Sequence, residues 1–247
     1  MSDTQWRQYR VWDVPTRMFH WVNFACVLGI LAAGVLIFYA KEIGIDRPAV
    51  IQLKHVHVWL GYVLIVNLAW RFVWAFLGNR YARWKAILPG HHGFLNAALA
   101  YGAAFVRGEP QQYLGHNPLG RISLTAIFLL LLVMSLTGLV LAGTDLYHPP
   151  FGRWIAEWIA APGVDPATLN PLTRDGIDAK AFADMRSFRS PFIAVHVYGF
   201  WCLAVLIVLH VGAVVITEIR EGGGLISAMF SGRKVLSKPP VDDPEGE

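Results

Sequence analysis

Residues 190–220 read SPFIAVHVYGFWCLAVLIVLHVGAVVITEIR, an apolar run that carries His196 and His210 and no carboxylate, lysine or arginine before Glu218. A run of this length is enough to cross a bilayer as one helix. The histidines are fourteen residues apart, hence about 21 Å apart along a helix axis and only about 40° apart in direction. Both imidazoles leave the same face, one in each half of the membrane. Ionisable groups inside a membrane mark functional sites. A single membrane histidine can also serve as a hydrogen-bonded packing residue, but two on one face at this separation fit two stacked haems, each taking one axial ligand from this helix.

Composition supports a membrane protein. A chain of 247 residues that is 55% hydrophobic, with a mean hydropathy of +0.44, exceeds what a soluble core requires. The net charge of +4 suits basic cytoplasmic loops. No basic stripe or nucleic-acid motif accompanies it, so nucleic acid is excluded as a partner. Cys26 and Cys202 both fall in apolar runs and read as small core residues. Without a C-x-x-C-H motif, any haem is b-type, held by ligation and packing. The polar lead before the first apolar run is too long for a cleaved signal, so that run is a retained span.

The spacing predicts four spans, at about 18–39, 56–77, 119–142 and 192–219. The first carries His20, with Trp12 and Trp21 as interface aromatics, and Gly34 fourteen residues further on. The second carries His55 and His57, which point in nearly opposite directions. His57 is favoured as the inward one because Gly61 lies one turn later; His55 is the fallback. The third has no histidine, and Gly138 there can admit a ring edge. Between the second and third spans, 93–106 reads as an interfacial helix, and His91 and His92 as a solvated turn. Residues 143–190 form a long connection. Gly222 to Gly224 stop the last helix, a basic amphipathic patch LISAMFSGRK follows, and 236–247 read as a disordered tail.

The basic segments are the lead, the 78–117 connection and the patch near Arg233, which places both termini in the cytoplasm. The expected fold is therefore all-α, an integral-membrane four-helix bundle forming a single domain over 1–247. In that topology His20 and His210 lie at matching depth on the cytoplasmic side, and His57 and His196 on the outer side. These four are the expected metal ligands of two b-haems. Arg17 and Arg121 at the inner end, and Lys54 and Arg189 at the outer end, are placed to meet haem propionates. Two histidines on each iron leave no open coordination site, which favours electron transfer, and no catalytic residue is assigned.

The phrases WDVPTRMFHW, FLGNRYAR, GHNPLGR and ISAMFSGRK, together with the H-x13-H last span, resemble the di-haem b-type cytochrome subunit of membrane-bound nickel–iron hydrogenases. The four-helix scaffold is also similar to cytochrome subunits of formate dehydrogenase. The resemblance covers most of the chain except the extreme tail. It implies a subunit of the bacterial inner membrane that takes electrons from a periplasmic iron–sulfur partner and delivers them to quinone. It also implies His20, His57, His196 and His210 as haem ligands, and quinone contacts near His116 and Asn117, a stretch that otherwise reads as a plain turn. The insertion around 165–184 departs from that family on the surface where a partner would dock, so a c-type cytochrome stands beside the hydrogenase-like subunit as a partner. A stand-alone quinone-linked oxidoreductase on the same scaffold, oxidising a species such as superoxide, is the rival reading. A haem-free anchor or transporter is a second rival.

Overall fold

Each long helix begins with the same device, an Asx side chain accepting the amide proton three residues on. In the computed structural model, which describes residues 6–90, 92–221 and 224–243, Asp13 Oδ1 accepts from Thr16 N at 2.9 Å and Asp46 Oδ1 from Ala49 N at 2.9 Å. Asn117 Oδ1 accepts from Gly120 N at 2.7 Å, and Asp178 Oδ1 from Ala181 N at 2.7 Å. Each bond satisfies one of the amide donors left open at a helix start.

The elements in order are β1 (Arg7–Arg10), α1 (Val14–Phe38), α2 (Arg47–Leu77), α3 (Trp84–Ile87), α4 (Phe94–Val106) and α5 (Pro118–Leu146). They continue with α6 (Gly152–Ile159), α7 (Ala179–Glu221), α8 (Leu225–Ser231) and β2 (Arg233–Leu236). Among the described residues α1, α2, α5 and α7 are long and apolar enough to cross a membrane. Their outward side chains are strongly exposed, for example Val66 (69%), Val208 (71%) and Ile219 (75%). Apolar surface on this scale, on helices that satisfy their own backbone, is the surface that lipid covers. The four-helix membrane architecture is as expected. The connection helix α4 also falls where the sequence placed it.

The chain forms two compact units. One comprises Met1–Asn23, Asn67–Leu129 and Val205–Glu247. Its core gathers Val11, Trp12, Tyr81, Leu114, Ala228 and Leu236. Here β1 pairs antiparallel with β2, Arg7 opposite Leu236 and Arg10 opposite Arg233, a small sheet that the all-α expectation lacked. Lys234 is buried and its Nζ donates to the carbonyls of Tyr113 and Gly115, both at 3.0 Å. Residues 236–243, expected to be disordered, carry hydrogen bonds to the loop between α4 and α5. Gln112 Oε1 accepts from Ser237 N and Lys238 N, and Asp242 accepts from Leu114 N and Gly115 N. Trp12, expected at the interface, is a core residue instead. His91, Gly222 and Gly223 and residues 244–247 lie outside the described residues.

The other unit comprises Phe24–Val66 and Leu130–Ala204. The connection after α5 folds on itself: Ile155, Ala156 and Ile159 of α6 bury Leu169 and Met185, with Phe182 against them. That packing explains why α7 starts at Ala179, well before the expected 192, and runs through Pro191. The proline removes one ladder bond, but Phe182 and Met185 hold the upstream turns in place. Cys26 is buried as expected, whereas Cys202 is exposed on α7.

Candidate functional site

In the unit formed by Phe24–Val66 and Leu130–Ala204, α2 and α7 bring His57 and His196 face to face, with ring centroids 6.2 Å apart. Both line a cavity of about 440 Å³ whose apolar wall includes Ile30, Met134 and Phe200. Two imidazole nitrogens each about 2 Å from one shared metal would put their ring centroids roughly 6 Å apart, so the pair fits bis-histidine ligation. Glycines leave space beside both rings. A Cβ on Gly34 of α1 would stand 3.6 Å from His57 Cε1, and one on Gly138 of α5 would stand 3.4 Å from His196 Cε1. Gly61 lines the same cavity.

A threonine neighbour favours one tautomer of His196. Thr137 Oγ1 lies 2.9 Å from His196 Nδ1 and donates its own proton to the Val133 carbonyl at 2.8 Å. The hydroxyl oxygen is then left to accept from Nδ1–H, which leaves Nε2 as the free lone pair. Histidines that bind metal are usually oriented by such a second contact. Thr137 was not anticipated, and only its helical register one residue before Gly138 could have signalled it.

Lys54 and Arg189 line this cavity too, but both engage a third residue, Asp145. Lys54 Nζ lies 2.5 Å from Asp145 Oδ2, Arg189 Nε lies 2.6 Å from Oδ1, and Arg189 Nη2 donates to Oδ2 at 3.0 Å. His55 does not face the cavity partner. Its Nδ1 lies 2.9 Å from His148 Nε2, and Tyr62 donates its hydroxyl proton to the Pro149 carbonyl at 2.5 Å. Burial and the nearby His55 hold the His148 pKa below its ordinary value.

The unit with the β1–β2 sheet contains the other two histidines. His20 of α1 and His210 of α7 lie within electrostatic reach of each other. His20 Nδ1 is buried without a hydrogen-bond partner, as is Arg17 Nε, while Arg17 Nη1 donates to the Phe230 carbonyl. Buried polar atoms left open in this way are costly unless a ligand or water meets them. Arg71, only 4% exposed, donates to the Ala82 carbonyl at 2.9 Å and keeps Nη1 open. Sequence reasoning passed over Arg71, although an arginine between aromatic residues inside an apolar span was the signal.

His116 is packed 4.9 Å from the Trp12 ring. Its pKa is pushed down to about 3, first by burial and then by the cations Lys234, Arg71 and Arg121. The imidazole is therefore neutral at physiological pH, with Nδ1 buried and open. Asn117 is occupied by structure. Besides capping α5, it donates through Nδ2 to the Tyr101 hydroxyl at 2.8 Å.

Four lipid-facing helices and a facing histidine couple beside a glycine-lined cavity suit a membrane protein that holds a planar metal cofactor. The chain belongs to the prokaryotic cytochrome b561 family, whose sequence model matches residues 11–232. It is 27% identical over 237 residues to the "Probable Ni/Fe-hydrogenase B-type cytochrome subunit" of Azotobacter vinelandii, covering 92% of this chain and 88% of the relative. The protein of the same name in Bradyrhizobium diazoefficiens is 28% identical over 243 residues, covering 91% and 85%. The "Probable Ni/Fe-hydrogenase 1 B-type cytochrome subunit" of Escherichia coli K12 is 24% identical over 237 residues, covering 90% and 88%. Family membership makes this chain a membrane electron-transfer protein that uses b-type haem.

Proposed function

We propose that the chain holds two b-haems, one between His57 and His196 and one between His20 and His210, and conducts electrons between a periplasmic redox partner and quinone in the bacterial inner membrane. The observation that carries this reading is the 6.2 Å separation of the His57 and His196 rings across a cavity edged by Gly34 and Gly138. A b-haem held by His57 and His196 would supply a one-electron couple, and two protein ligands on the iron would favour electron transfer over oxygen chemistry. His57 and His196 would supply the ligating nitrogens, and Thr137 beside His196 Nδ1 would orient one of them. The apolar wall excludes water, and Lys54 and Arg189 bring positive charge to the cavity. At the other couple, Arg17 and Arg71 carry open donors suited to carboxylates, and Arg121 adds charge nearby.

The basic segments favour cytoplasmic termini. The folded connection that contains α6 then faces the periplasm as the docking surface for a partner. The names of the relatives support a hydrogenase as that partner, and a c-type cytochrome is the other candidate. Neutral His116, with its open Nδ1, suits a quinone carbonyl or quinol hydroxyl, with Asn117 beside it. The test is haem content per purified chain: two for the native protein, and one each for His57→Ala and His210→Ala. A colourless native protein, or a His210→Ala variant that keeps both haems, would overturn the proposal.

A further inference from the structure

We propose that Asp145 sets the redox potential of the haem held by His57 and His196, by cancelling one of the two cations that line the same cavity. The inference rests on the haem assignment made for that couple. Lys54 comes from α2, Asp145 from α5 and Arg189 from α7, and all three line the cavity with both histidines. Their side chains are 28%, 17% and 21% exposed, in that order. Charges so sheltered are weakly screened and act over several ångströms. With two cations on one carboxylate the cluster carries a net charge of +1.

A buried ion pair is weak evidence for stability, because desolvation offsets much of its attraction. Its persistent effect is the field it leaves. Iron gains one positive charge on oxidation, so a nearby carboxylate favours the oxidised state and a nearby cation the reduced one. Removing Asp145 exposes a charge of +2 and raises the potential. Removing Lys54 alone leaves zero and lowers it. Removing both restores +1.

The test is a potentiometric titration, followed by absorbance, of the full chain in detergent, comparing native protein with Asp145→Asn, Lys54→Gln and the double variant. The wave that disappears in His57→Ala identifies the relevant haem. Asp145→Asn should raise its reduced-to-oxidised ratio at fixed ambient potential about tenfold, an upward shift of about 59 mV for a one-electron couple. Lys54→Gln should move it a similar amount downward, and the double variant should return to within about threefold of native. Shifts in one direction for both single variants would overturn the proposal, as would an unmoved wave or loss of this haem from Asp145→Asn and the double variant alike. In those cases Asp145 is only a clip between helices. A His57→Ala variant that retains both waves would instead defeat the haem assignment itself.

Discussion

Thr137 Oγ1 lies 2.9 Å from Nδ1 of His196 and 2.8 Å from the Val133 carbonyl, so a threonine proton given to that carbonyl leaves the oxygen to accept from the imidazole. The bond runs from α5 to α7, so α5 shapes the cavity although it contributes no histidine to it.

Thr137→Val keeps the shape and removes the acceptor. The buried Nδ1–H then has no partner, and loss of an orienting contact of this kind typically weakens metal binding by about 10–100-fold. Haem release to an excess of an apo-haem acceptor should be faster by that order for the haem proposed between His57 and His196, and Thr137→Ser should restore the native rate.

Gly34 separates a tolerated substitution from a disruptive one. A methyl group there would meet His57 Cε1 at 3.6 Å and Phe200 at 3.7 Å, both ordinary contacts. Gly34→Ala should therefore retain full haem content. Gly34→Leu puts three more carbons into the space beside the ring, and its absorbance per chain should fall by about half.

The depressed pKa of His116 predicts an acid-sensitive protein, and the sign follows from it. In the folded state the group stays neutral down to about pH 3. The unfolded chain takes up the proton below about 6.5. Stability is therefore fully present above about pH 6.5 and falls as pH drops from there, by up to about 1.4 kcal/mol per unit. Between pH 7 and 5 this amounts to about 2 kcal/mol. Denaturant midpoints in detergent should show this loss for the native chain and a flatter profile for His116→Gln.

Asn117→Ala removes the cap of α5 and the bond to Tyr101, and should lower stability by about 1 kcal/mol or somewhat more with haem content unchanged. Asn117→Asp keeps an acceptor for Gly120 N and should recover most of that loss in a thermal melt. Quinol-linked reduction slowed in both variants would place Asn117 at the quinone. Slowing in Asn117→Ala alone would assign it to the fold.

The spans were legible because bilayer thickness acts on any apolar run; helical period sends His55 and His57 apart, and Gly61 one turn later is what favoured His57. The cavity glycines were visible for the same reason, as residues in register with a ring. Asp145 was not legible. An acidic residue at the end of an apolar span looks like a boundary, and only the approach of α2 and α7 reveals that it meets Lys54 and Arg189. The early start of α7 lies upstream of the apolar run, where the packing of Met185 on α6 extends the helix through Pro191. The β1–β2 pairing joins residues more than two hundred positions apart, beyond the reach of local pattern.

That pairing governs when the protein can be finished. Strand Arg7–Arg10 leaves the ribosome early and must wait, with its ladder unmade, until Arg233–Leu236 is synthesised. Lys234, which sits over Trp12 and secures the loop before α5, arrives with the same late segment. Assembly of the His20 neighbourhood therefore waits for the segment that carries β2, and a chain lacking residues 233–236 would leave this end open, however well its helices had inserted.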